Sequence, residues 1–95
     1  MNFQKLLKEA QKMQKDQEQK KKELENTDFD FNSQGISVTI SGGFEIKKLK
    51  INPILIDQDD VETLEDLITI TLNQSLLKIK EKNEELVPVN PTNLN

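Results

Sequence analysis

The chain has 95 residues, of which 34% are hydrophobic and 32% charged, and its formal net charge is −4. A single domain of this size removes only about 60–65% of its unfolded surface from water, so burial against a second subunit is the expected remedy for marginal stability. The absence of cysteine and histidine excludes a disulfide framework and a thiolate metal site, and removes the commonest metal ligand and general base.

Phe3 to Leu24 has helical composition, rich in Lys, Gln, Glu and Leu and free of Gly and Pro. Phe3, Leu6, Ala10 and Met13 recur at coiled-coil spacing with Leu7 beside them, and the same spacing then meets Gln17 and Lys20. The first half of this helix is therefore expected to pack on something, and the second half to project into water. Asp28 to Phe31 alternates, with Phe29 and Phe31 on one side, and reads either as a short edge strand or as an extended link. Ile36, Val38 and Ile40 alternate with Ser37, Thr39 and Ser41, the pattern of a half-buried strand. Gly42-Gly43 suits a tight turn with positive φ. The return strand sets Leu49 and Ile51 on one face and Ile46, Lys48 and Lys50 on the other. A small antiparallel sheet with one wet face needs a helix over one side only.

Asn52-Pro53 ends that strand, because proline has no N–H for the ladder and restricts its neighbour. Asp59, three before Glu62, or Asp60 then caps a helix from Val61 to about Leu86. Within it Ile68-Thr69-Ile70-Thr71-Leu72 reads as a strand by propensity alone. Leu64, Ile68, Leu72 and Ser75 or Leu76 nevertheless keep helical spacing, as do Leu67, Ile70 and Leu77, and the cap and length favour helix. The two stripes cover more than half the circumference, so this helix should be enclosed by its own sheet and by another chain. Leu64, Leu67, Ile68, Ile70, Leu72 and Leu76 are the expected dimer interface. Pro88 and Pro91, amid Asn and Thr, mark a disordered tail. The expected organisation is α+β: one domain over 1–87, then a tail over 88–95.

Charge is unevenly spread. Residues 1–25 hold seven Lys and five acids, a local +2, whereas 26–60 and 61–95 each hold three Lys and six acids, −3 apiece. A polyanion surface must be local, and the first helix is its best place. Asp57, Asp59 and Asp60 lack the pattern and glycine of an EF-hand and suit helix capping instead. Without His, Cys or Tyr, and without a phosphate-cradling glycine loop, no nucleophile–base pair can be assembled. No enzyme activity, cofactor, metal or small-molecule substrate is expected. The N-terminus lacks an apolar core of signal-peptide length and no run approaches a membrane span, so a cytoplasmic protein with no membrane association is expected.

The KEAQKMQK run of the first helix, VTISG, the basic pair Lys47-Lys48, the IN-P turn and LEDLI, in this order across residues 3 to 85, resemble the YbaB/EbfC family of small bacterial nucleoid-associated DNA-binding proteins. The resemblance implies an α-β-β-β-α homodimer whose sheets join and whose long N- and C-terminal helices project like tweezers. It also implies double-stranded DNA as partner, a place in the nucleoid, and a role in nucleoid organisation or gene regulation. One departure is visible: family members often enter the second strand through a GxxGG-like segment, where this chain has DFDFNSQG.

Lys5, Lys8, Lys12 and Lys15 form one stripe offset from the apolar seam. On a lone helix that is ordinarily a solvated face. In a dimer of this family the doubled stripe would meet DNA phosphates as point charges. Lys47 and Lys48 join the candidate set through the family's basic pair. Lys78 and Lys82, four apart on one side, join it at the end of the last helix, where lysines also oppose the negative end of the dipole. With no arginine to fork onto guanine, sequence choice should be weak. The rival readings are a prefoldin-like holdase and an adaptor for replication or recombination proteins.

Overall fold

The structure is a computed structural model and describes residues 2–86. Asn2 caps the first helix: its Oδ1 accepts from the backbone amides of Gln4 at 3.1 Å and Lys5 at 3.4 Å, filling two of the donors that a helix start leaves open. Helix α1 spans Phe3–Glu25 and strands β1, β2 and β3 span Asp28–Ser33, Ile36–Ser41 and Ile46–Ile51. A 3₁₀ turn, Pro53–Leu55, leads into helix α2, Val61–Glu85. The sheet is antiparallel in the order β1-β2-β3. This is the α-β-β-β-α order that the family resemblance implies. The tail expected over 88–95 lies outside the described residues.

Of the two readings of Asp28–Phe31, the strand holds, and it is longer than expected. All six residues of β1 pair with β2, from Asp28 opposite Ser41 to Ser33 opposite Ile36. Gln34 and Gly35, at φ 51° and 88°, are both left-handed. That gives a two-residue hairpin turn whose twist matches its strands.

The turn between β2 and β3 departs from expectation. The left-handed residue is Phe44, φ 65°, and neither Gly42 nor Gly43. Buried Ser41 organises the loop: its amide donates to the Glu45 carbonyl at 2.9 Å, and its Oγ accepts from the amides of Gly43 and Glu45. Gly42 is required for space instead, since a Cβ there would lie 2.0 Å from the Leu24 carbonyl oxygen. Beyond the turn, a bulge pairs Ile40 with Ile46 and Thr39 with Lys48, leaving Lys47 as the extra residue. Ile46 therefore shares a face with Leu49 and Ile51, not with the lysines as strict alternation had placed it.

Ile36, Val38 and Ile40 of β2 and Ile79 of α2 are the buried hydrophobic core of the described residues, flanked by Phe29, Phe31, Leu72 and Leu76. Asp60 is the cap of α2: its Oδ1 accepts from the Thr63 amide at 3.4 Å and its Oδ2 from the Thr63 hydroxyl at 2.7 Å. The face of α2 against the sheet is Thr71, Ser75 and Ile79. The Ser75 hydroxyl donates to the Thr71 carbonyl at 2.6 Å, so a small polar side chain is buried without an orphaned donor. These hydroxyl residues let α2 approach closely, while Leu72 and Leu76 close the flank of the same core.

Helix α1 contributes no buried residue. Its seam residues Phe3 and Met13 are 76% and 63% exposed, and Leu6 and Leu7 are exposed as well. The chain itself does not supply the packing expected for the first half of α1. At 1.5 Å per residue the two helices measure about 35 and 38 Å, and the molecule is elongated, with principal extents of 72 × 31 × 13 Å. The radius of gyration is 19.8 Å, against about 12 Å for a compact domain of this length. Among the described residues no helix is long and apolar enough to cross a membrane.

Candidate nucleic-acid interface

The expected lysines fall into three places. Lys5, Lys8, Lys12 and Lys15 share one side of α1, about half a turn from Phe3, Leu6, Ala10 and Met13. Helical spacing extends the same stripe through Gln19 to Lys22 in the last turn, with Glu9, Asp16 and Glu18 one turn from Lys5, Lys12 and Lys15 along its flank. Lys22 completes the series Lys8, Lys15, Lys22 at seven-residue steps, a regularity visible in the sequence but masked there by the neighbouring glutamates. The apolar seam can therefore pack against protein while the lysine side stays open.

Lys47 and Lys48 lie on β3 but serve differently. Lys47 occupies the bulge and pairs with Glu45 at 3.4 Å. Lys48 stands on the wet face opposite Thr39, whose hydroxyl donates to Asp30 Oδ1 at 2.6 Å. Lys50 stands one row along, opposite Ser37, whose hydroxyl donates to Asn32 Oδ1. The wet face is thus a polar ladder with Lys48 and Lys50 on one edge and Asp30 and Asn32 on the other.

Lys78 and Lys82 have different neighbours. The Lys78 ammonium lies 3.6 Å from Glu81 Oε2, and Lys80 pairs with Glu84 at 4.0 Å. Lys82 is half-buried, with its ammonium 4.8 Å from the centre of the Phe29 ring. A cation held over a ring belongs to the packing of α2 on β1. Lys82→Ala is expected to lower stability by roughly 0.5–1 kcal/mol and to change DNA affinity less than loss of the α1 stripe. Thermal melts beside binding titrations would check this.

Of the six expected interface residues, Leu72 and Leu76 pack on the chain's own core, and Leu64, Leu67 and Ile68 are half-buried. Ile70 remains exposed, as does Leu77 of the same stripe. The acidic cluster is occupied with capping: Asp57 Oδ1 accepts from the Asp59 amide at 2.9 Å, and Asp60 holds the start of α2.

Comparison with known proteins places this architecture among small α-β-β-β-α proteins. A solved structure of an uncharacterised protein from Helicobacter pylori superposes with a TM-score of 0.72 over 90% of this chain and 92% of that one, at 24% identity, a likeness of fold. Residues 1–88 match the YbaB/EbfC DNA-binding family. A nucleoid-associated protein of Clostridium acetobutylicum is 45% identical over 83 residues, 85% of this chain and 74% of that protein. A nucleoid-associated protein of Mycoplasma mobile is 44% identical over 88 residues, 93% of each. The chain belongs to the YbaB/EbfC DNA-binding family.

Proposed function

We propose that the protein binds double-stranded DNA as a homodimer at the nucleoid, chiefly through lysine–phosphate contacts, and serves nucleoid organisation or gene regulation. The α1 stripe carries this reading. Lys5, Lys8, Lys12 and Lys15 stand on a helix with no buried residue, and none of them is in an ion pair among the described residues. Ammonium groups so placed can meet phosphates without first giving up a protein partner. Lys48 and Lys22 are the next best placed, and Lys47 and Lys78 can join after exchanging exposed carboxylates that hold them weakly. The names of the two nucleoid-associated relatives support DNA as the partner and the nucleoid as the place.

The mechanism predicts a steep salt dependence. Each neutralised phosphate contributes a slope of about −0.9 to log K against log salt, so four contacts lower affinity about 100-fold between 50 and 200 mM salt. Fluorescence anisotropy with a random-sequence duplex measures this directly. Affinity that barely changes over that range would sink the electrostatic reading. The exposed seam of α1, with Phe3, Leu6, Leu7 and Met13, gives the holdase or adaptor reading its one specific support. That reading predicts protection of an aggregating client by protein that shifts no DNA.

A further inference from the structure

Helix α1 is a lever held at one end. Every residue of it except Leu24 is exposed, so no packed face fixes its direction along its length. A junction at its last turn does so instead. The amide of buried Gly42 donates to the Thr27 carbonyl at 2.9 Å, two residues past α1, and the Leu24 backbone and side chain press so close to Gly42 that no Cβ fits. Thr27 is tied to the helix in turn. Its amide donates to the Leu24 carbonyl at 3.0 Å and its hydroxyl to the Glu23 carbonyl at 2.6 Å.

The other half of the junction comes from α2. Asn83 Nδ2 donates to the Gly42 carbonyl and to the Ile79 carbonyl, each at 3.0 Å, which engages both of its amide protons. Asparagine is a poor helix former, and here it stands half-buried in the last turn of a helix. One proton on its own helix and one on the β2–β3 turn make it a strap between the two. The adjacent Lys82, over the Phe29 ring, holds the same turn of α2 on β1. Asn83 thus ties Gly42, and through Gly42 the root of α1, to the frame of the sheet.

We propose that Asn83 is a positioning residue for DNA binding: it sets the direction of α1 and touches no DNA itself. This rests on the lysine–phosphate reading and says what holds those lysines in place. Lever length decides which of them depend on it. Lys5 lies about 28 Å from Leu24 along the helix, so a swing of about 10° at the root carries it roughly 5 Å. That exceeds the length of a charge-assisted hydrogen bond to a phosphate, about 2.8 Å. A long side chain absorbs the difference only by giving up rotamer freedom. Lys5 and Lys8, far from the root, therefore depend on Asn83, whereas Lys22 beside the root hardly moves.

The native sequence has no cysteine, so Gln11→Cys gives one dye site per chain on α1. In the full-length protein, Asn83→Ala is expected to keep the wild-type circular dichroism spectrum at room temperature, alanine being the best helix former. Without DNA, time-resolved anisotropy of the dye gains a nanosecond component that is missing in the wild-type background. With DNA, loss of about two distal contacts flattens the salt slope by about 1.8 and lowers affinity about 30-fold at 0.15 M. Lys5→Ala weakens binding in the wild-type background but adds little to Asn83→Ala, although sites so far apart ordinarily add. Asn83→Asp, which keeps the shape and presents acceptors to both carbonyls, gives the same results. Unchanged dye motion in both variants, or a Lys5→Ala cost as large in their background as in wild type, overturns the positioning role. Loss of the folded spectrum in both makes Asn83 a residue of the fold and overturns it too. A wild type whose affinity ignores salt, or in which Lys5→Ala changes nothing, overturns the lysine–phosphate reading instead, and the dye measurement still decides whether Asn83 holds α1.

Discussion

Replacing Lys5, Lys8, Lys12 and Lys15 together by alanine is expected to weaken binding to random duplex DNA by between about 100- and 1,000-fold near physiological salt. The figure follows from counterion release, with four of the homodimer's eight stripe lysines taken to reach a phosphate: each contact contributes about 0.9 to the salt slope, so four lost contacts flatten it by about 3.6 and remove about three decades of affinity at 0.15 M. The lower bound allows for stripe lysines that reach no phosphate. The fold should not suffer. All four side chains are exposed, no buried residue lies on α1, and alanine is the best helix former. Circular dichroism and melting should therefore match wild type. Lys22→Ala should flatten the slope further, whereas Lys21→Ala, on the seam side of the helix, should change it little. An unchanged slope in the fourfold variant removes α1 from the DNA surface and shifts attention to Lys48 and Lys50.

Periodicity decided what could be read from the sequence. The 3.6-residue pattern of Leu64, Ile68, Leu72 and Leu76 outweighed the β-branched run Ile68–Leu72, and α2 is indeed helical there. Period two in Ile36–Ser41 gave β2 with its buried face. The two stripes of α2 were legible as well, but not which stripe faced what. Thr71 and Ser75 look polar in sequence, yet they are buried because the tight approach of α2 to β2 needs small side chains. The bulge at Lys47 was hidden, because one extra residue shows only once two strands are in register. For the candidate site, composition located the basic stripe, but not the engagement of its rivals. The Lys82–Phe29 contact joins residues far apart in the chain and has no local signature. The same holds for Gly42, whose pairing with Gly43 suggested turn conformation when the constraint is the carbonyl of a distant helix.

Gly42→Ala is the substitution expected to damage the fold most for the fewest atoms. Three elements meet at this residue. Its amide donates to the Thr27 carbonyl at 2.9 Å, just past α1. Its carbonyl accepts from Asn83 Nδ2 at 3.0 Å, near the end of α2. A Cβ would lie 2.0 Å from the Leu24 oxygen and 2.6 Å from its carbonyl carbon, and backbone cannot swing aside as a side-chain tip can. Either the last turn of α1 unwinds and gives up its backbone hydrogen bonds, or β2 moves away from Thr27 and the buried Gly42 amide loses its partner. Overpacking of this kind costs about 1–3 kcal/mol, which for a domain of this length lowers the melting temperature by roughly 5–20 °C. Gly43→Ala is the control one residue away: its Cβ would meet Glu25 side-chain carbons at 3.5 Å, an ordinary contact, and the change should be close to neutral. Because Gly42 also sets the direction in which α1 leaves the sheet, the alanine variant should bind DNA more weakly even at temperatures where it remains folded. Equal melting of the two alanine variants would mean that α1 does not press on the β2–β3 turn, and that the lysine stripe is not held in a fixed direction.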